Sequence, residues 1–120
     1  MKKKLVASAL TLGGLAFMAS VALANYGEDN SLKGYVKEYQ TKKAINKASV
    51  KLYKKSGKLK DSDKTDTKGK YKFSDLEEAT YKVKAKATGY RNPSDAKKDS
   101  VSKTVKVDGS DSKNLYLKKI

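Results

Sequence analysis

DSDKTDTKGKYKF, residues 61–73, holds aspartates at 61, 63 and 66, then Gly69, after which Tyr71 and Phe73 alternate with lysines. The carboxylates suggest a calcium loop, and the alternation suggests a turn that opens a strand. A calcium loop of the helix–loop–helix type takes glycine at its sixth position and a bidentate glutamate at its twelfth. Counted from Asp61, those positions are Asp66 and Lys72, with Lys60, Lys64, Lys68 and Lys70 interspersed. The turn accounts for the same residues with less conflict. Asp66 folds its carboxylate back onto the backbone, as aspartate does in tight turns. Gly69 supplies a backbone angle that a residue with a Cβ resists. Tyr71 and Phe73 then become the first inward residues of a strand, with Lys70 and Lys72 pointing away. No metal or other cofactor is expected.

Outward from this stretch the same period of two recurs, at 32–39, 48–55, 70–76, 80–88, 102–107 and 114–119, with a further short strand near Leu59. Turn-rich pieces such as TKKAINK, GYRNPSDAKKDS and DGSDS separate these runs, and no stretch has the spacing of an amphipathic helix. Short alternating strands at this spacing read as an antiparallel β-sandwich. The inward register takes Val36, Val50, Leu52, Tyr71, Phe73 and Leu76. It continues through Tyr81, Val83, Ala85 and Ala87 to Val105, Val107, Leu115 and Leu117. A slip of one residue would bury a row of lysines, so the register is strongly specified.

The chain has 120 residues and no cysteine or histidine. Residues 1–24 open with Lys2–Lys4, continue through an apolar run and end in Ala22-Leu23-Ala24, a small-x-small cleavage pattern. They are expected to be a cleaved signal peptide, giving a secreted or periplasmic protein with no transmembrane segment in its mature form. Residues 25–31 are expected to be a linker and 32–119 the folded domain. The export route would permit disulfides, but none can form, so burial and hydrogen bonds hold the fold. The formal net charge is +15, and Arg91 is the sole arginine. Lysine is a hydrated point charge without the fork of arginine, so this charge suits a polyanion better than sequence-specific reading of nucleic acid.

Several motifs together resemble the carboxypeptidase regulatory-like domains and the collagen-binding B-type repeats of bacterial surface proteins. They are Gly34-x-Val36, Ile45-x-x-Ala48-x-Val50-x-Leu52, Thr65-Asp66-x-x-Gly69-x-Tyr71-x-Phe73, Tyr81-x-Val83, Gly89-Tyr90 and Leu115-Tyr116-Leu117. The match runs through nearly all of residues 32–118. The resemblance implies an all-β, antiparallel seven-stranded Greek-key sandwich of the transthyretin-like type, with no peptidase residues of its own. In some B-type repeats a lysine and an asparagine form an isopeptide bond beside a buried acid. Lys33 or Lys37 and Asn114 sit at the two ends of such a bond here, but the position of the acid holds Ala85, so no bond is expected.

Without histidine or cysteine, the common zinc sets and the Ser-His-Asp and Cys-His nucleophile systems are excluded. No phosphate-cradling glycine loop is present. Glu77 and Glu78 are adjacent on a turn and do not face each other across a cleft. A binding role without catalysis is therefore expected. The candidate surface for an anionic polysaccharide, an envelope polymer or an acidic protein is Lys51, Lys70, Lys72, Lys82, Lys84 and Lys86. Lys70 and Lys72 join Lys82, Lys84 and Lys86 in one ladder if their strands pair as a hairpin. The same lysines would also serve as a solvated coat that guards edge strands. Tyr35, Tyr39, Tyr53 and Tyr116 form a second, aromatic candidate surface. The alternative function is a structural or self-assembling subunit, or one that binds a protein partner, through an edge strand or these tyrosines.

Overall fold

The computed structural model describes residues 30–120; the expected signal peptide at 1–24 lies outside them. Nine strands are formed among the described residues. They are β1 (Asn30–Glu38), β2 (Ser49–Lys54), β3 (Leu59–Lys64), β4 (Lys70–Leu76), β5 (Ala79–Lys86), β6 (Tyr90–Arg91), β7 (Ser100–Val107), β8 (Ser110–Ser112) and β9 (Leu115–Lys119). They make a two-sheet β-sandwich. One sheet has the order β4-β1-β9-β6 with β8 also on β1, and the other the order β3-β2-β5-β7.

The strand count exceeds the expected seven because β6 and β8 are short additions. The sheets are also not purely antiparallel. β1 and β9 run parallel, with Val36 opposite Leu115 and Glu38 opposite Leu117. Parallel neighbours need a long connection rather than a tight turn, and here all the intervening strands supply it.

Two compact units are distinguishable. The smaller comprises, of the described residues, 30–31, Ser74–Ala79 and Lys106–Asp111. Within it, the Asn30 side chain donates to Leu76 O (3.0 Å) and accepts from Gly109 N–H (2.8 Å), and Ser31 N–H donates to Gly109 O (2.9 Å). Its buried residues are Leu76 and Val107.

The larger unit comprises Leu32–Phe73, Thr80–Val105 and Ser112–Ile120. From one sheet it buries Leu32, Val36, Tyr71, Phe73, Leu115 and Leu117. From the other it buries Val50, Leu52, Tyr81, Val83, Ala85 and Val105. Each large apolar side chain taken fully out of water contributes about 1.5–3 kcal/mol. In β5 the alternation is kept strictly, with Lys82 out, Val83 in, Lys84 out, Ala85 in and Lys86 out; β4 departs from it at Asp75 and β7 at Lys103, which are exposed at inward positions. Ala87, expected inside, is only half-buried because β5 ends at Lys86.

The 61–73 stretch is a turn between edge strands. Asp66 Oδ1 accepts the N–H groups of Lys68 and Lys70, both at 2.9 Å, and those bonds hold its carboxyl below the usual range. Asp61 Oδ1 accepts Ser62 N–H (2.8 Å), while Asp63 accepts Lys64 N–H (2.8 Å) and Lys72 N–H (2.9 Å). The three carboxylates thus serve the backbone. Gly69 has φ +76 and its O accepts Val36 N–H at 2.8 Å. Thr65 is buried; its hydroxyl donates to Ile45 O (2.6 Å) and accepts Ala48 N–H (2.8 Å). Gly34 permits a second close approach, where the Tyr71 hydroxyl donates to Lys113 O at 2.5 Å.

Glu38 is a buried carboxylate that continues the inward set of Leu32, Gly34 and Val36 along β1. Its Oε1 accepts Thr41 N–H at 2.7 Å, and its Oε2 is buried without a hydrogen-bond partner. Hydrogen bonds from the Thr41 backbone, then from the Thr41 side chain, lower its pKa from an ordinary 4.5 to about 2. A depressed carboxyl stabilises the fold above its unfolded pKa and loses that contribution as pH falls through its folded pKa.

Two outcomes follow. A Cβ on Gly69 would lie 2.7 Å from Val36 O at a left-handed φ, so Gly69→Ala is expected to destabilise by about 1–3 kcal/mol; an unchanged urea midpoint would refute the role given to this contact. Stability is expected to fall between pH 4.5 and about 2, and Glu38→Gln to flatten that fall, with the remaining slope due to Asp66 and Asp99. Acid titrations followed by circular dichroism test this, and identical pH profiles would count against it.

Candidate functional site

β2 and β5 pair so that Lys51 stands opposite Lys84, Tyr53 opposite Lys82 and Ser49 opposite Lys86. The residues between them, Val50, Leu52, Val83 and Ala85, face the core. These lysines therefore project from the outer face of the β3-β2-β5-β7 sheet. Beside them, β7 exposes Ser102 and Thr104.

The chain between β6 and β7 forms a hydrogen-bonded loop next to this face. The Asn92 side chain organises it, accepting Ser94 N–H (2.7 Å) and Asp95 N–H (3.0 Å) and donating to Ser100 O (3.0 Å). Asn92 N–H donates to Lys98 O (2.8 Å), and Lys97 N–H donates to Asp95 Oδ1 (3.0 Å).

Loop and sheet enclose an open groove of ≈ 1210 Å³. Its cations are Lys54, Lys55, Lys82, Lys84, Lys97 and Lys98. Hydroxyls of Thr80, Ser100, Ser102 and Thr104 and the ring of Tyr53 also line it. Asp99 is the sole acid of the lining and lies 3.1 Å from Lys86 Nζ. That contact lowers the Asp99 pKa. Both partners are exposed, so the pair contributes little to stability, but it offsets the one negative charge at the groove. What remains is a concave cationic surface with neutral hydrogen-bonding groups between the charges. It can hold an extended anionic chain whose units also bear hydroxyls.

Lys70 and Lys72 do not join Lys82, Lys84 and Lys86 in one ladder, because β4 and β5 do not pair as a hairpin. Lys82 and Lys84 line the groove, with Lys51 and Lys86 beside them on the same face. Lys70 and Lys72 are on β4, which pairs with β1 in the other sheet. The link Glu77-Glu78 has the length of a hairpin turn, but two-residue hairpins want left-handed residues such as Asn-Gly within the turn. Here Asp75 takes the left-handed angle, φ 55, and the chain passes to the other sheet. The predicted tyrosines separate likewise: Tyr53 borders the groove, whereas Tyr35 and Tyr116 belong to the β4-β1-β9-β6 sheet and Tyr39 to the turn that follows β1. Asn114 Oδ1 accepts Tyr35 N–H at 3.0 Å, and Ala85 is buried opposite Val50.

Sequence reasoning missed Lys54, Lys55, Lys97, Lys98 and Asn92 as groove residues. Asn92-Pro93 does signal a turn in the sequence. Nothing local says that this turn folds beside β7.

Residues 31–115 match the family model of the carboxypeptidase regulatory-like domain. No curated protein matches the sequence. Solved structures with a similar fold include the major pilin subunit BcpA of Bacillus cereus, at 12% identity and TM-score 0.62, over 76% of this chain and 30% of that one. A candidate carbohydrate-binding protein of Bacteroides uniformis matches at 17% identity and TM-score 0.53, over 76% of this chain and 42% of that one. Another, of Pseudomonas aeruginosa, matches at 14% identity and TM-score 0.53, over 77% of this chain and 89% of that one. The chain thus spans less than half the length of the Bacillus and Bacteroides structures. At these identities the likeness is one of fold.

Facing like charges on a sheet cost about 0.2–1 kcal/mol per pair. Lys84→Gln is therefore expected to stabilise the protein by about that amount at low ionic strength, with the gain vanishing near 1 M salt, where the Debye length is about 3 Å. Melting curves at the two salt levels check this; a destabilised variant at low salt would contradict the strain assigned to the Lys51–Lys84 pair.

Proposed function

We propose that the chain, which belongs to the carboxypeptidase regulatory-like domain family, is a non-enzymatic module that binds an acidic polysaccharide along the groove. The observation that carries this reading is the groove lining itself: six lysines, four hydroxyl side chains and Asn92, with the one carboxylate already beside Lys86. Lysines supply attraction without fixed geometry, as suits a polymer whose charges repeat but whose units turn. The Ser and Thr hydroxyls supply the donors and acceptors that sugar hydroxyls require. Tyr53 offers an apolar ring at the rim. The fold shared with candidate carbohydrate-binding proteins is in keeping with this reading. Export through residues 1–24 would put the module among the acidic polymers of the envelope or the medium.

Self-assembly through the β3 and β4 edges is the less favoured reading. There the N–H groups of Ser62, Lys64 and Lys72 already donate to Asp61 and Asp63. A strand added along that edge would have to displace these bonds.

The test is binding of the purified protein to polygalacturonate, with neutral dextran as control, by isothermal titration calorimetry at two salt concentrations. Binding is expected to weaken steeply with salt, as counterion release requires. The triple variant Lys82→Gln/Lys84→Gln/Lys98→Gln is expected to lose at least about tenfold in affinity, or about 1.4 kcal/mol, and to show a shallower salt slope. Equal affinity for dextran, or a triple variant that binds like the wild type, would reject the groove as the site.

A further inference from the structure

The outer face of the β4-β1-β9-β6 sheet, on the other side of the larger unit from the groove, carries a second constellation. Tyr35 and Tyr39 are 37% and 48% exposed, and Tyr116 on β9 stands opposite Lys37 on β1. Lys37 Nζ lies 5.3 Å from the Tyr35 ring centroid. Lys42 Nζ lies 4.9 Å from the Tyr39 ring and 4.8 Å from the Tyr116 ring.

Lys42 is held there by the fold. It has φ 64, its N–H donates to Glu38 O at 2.8 Å, and its ammonium donates to Tyr39 O at 2.5 Å. The preceding residue is pinned by the bond from Thr41 N–H to the buried Glu38 carboxylate. The result is an ammonium fixed between the exposed ring of Tyr39 and the half-buried ring of Tyr116, with donors left over for an anion.

Such a pair of features, a flat apolar ring beside a positioned cation, matches a pyranose that bears a carboxylate. The C–H face of the sugar packs on the tyrosine, and the carboxylate accepts a charge-assisted bond from Lys42. A bare phosphodiester or polyphosphate chain matches only the charge. Lys33, Lys70 and Lys72 on the same sheet extend the positive field around the rings.

We propose that this Tyr39–Lys42–Tyr116 face is a second site for acidic pyranose units, so that one chain bridges two strands of acidic polysaccharide. The bridging rests on the groove as the first site, whereas the second site stands on its own geometry. Two sites on opposite faces cannot both grip one short stretch of polymer, so simultaneous engagement links separate strands or distant segments.

The experiment mixes the purified protein with polygalacturonate at low salt and follows dynamic light scattering together with calorimetric stoichiometry. The wild type is expected to produce assemblies that grow with protein added and hold several polymer chains. Tyr39→Ala/Tyr116→Ala, which leaves the charge unchanged, is expected to bind about half as many polymer segments and to leave particles near the size of the polymer alone. If that variant lacks a cooperative melting transition, Lys42→Gln is read in its place with the same expectation. A tyrosine variant that cross-links as the wild type does would overturn the second site. Cross-linking of polyphosphate by the wild type that the tyrosine variant loses as fully as it loses cross-linking of polygalacturonate would overturn its pyranose chemistry. The groove triple variant separates the two readings: if it still cross-links while the tyrosine variant does not, the groove fails and the tyrosine face stands.

Discussion

The bond from Val36 N–H to Gly69 O holds the first long strand against the turn that begins β4, and much of the fold is arranged around it. The 2.8 Å contact is possible because Gly69 has no Cβ to meet Val36 O. Asp66 bends the chain so that Gly69 arrives there, and Thr65 ties the same turn to Ile45 and Ala48. From that point Tyr71 and Phe73 enter the core in tilted contact, ring centroids 5.7 Å apart. One short turn thus couples two edge strands, a buried loop and the start of the aromatic core.

The lysines exact a different constraint. With so many cations on alternate strand positions, only one register keeps them in water. That makes the fold specific, but it sets like charges opposite one another across β2 and β5. The protein is therefore under mild electrostatic strain that salt or an anion relieves. Under the proposed function, an acidic polymer in the groove would remove repulsion as well as add attraction.

In the two proposals, the outer faces would meet an acidic sugar polymer by different means. The groove would act through several lysines with hydroxyls between them. The tyrosine face would act through one lysine held between rings. The first favours length and charge of polymer; the second favours the sugar ring. The carboxylate-capped edge at β3 and β4 directs both away from strand addition and toward side-chain recognition.

The inward or outward sense of nearly every strand residue was readable from the sequence, as was the turn at Asp66–Gly69. Both depend on local rules: successive side chains alternate across a strand, and a left-handed turn selects glycine. The partners of the buried Glu38 and Thr65 were not readable, because they are backbone groups of loops that acquire positions only in the folded chain. Neither was the division of the lysines. Lys72 and Lys82 both point outward, as alternation requires, yet they stand on opposite faces because β4 pairs with β1 and β5 with β2. Alternation is a property of one strand. Which strands become neighbours is set by contacts between distant parts of the chain, and only that long-range pairing decided which cations share a surface.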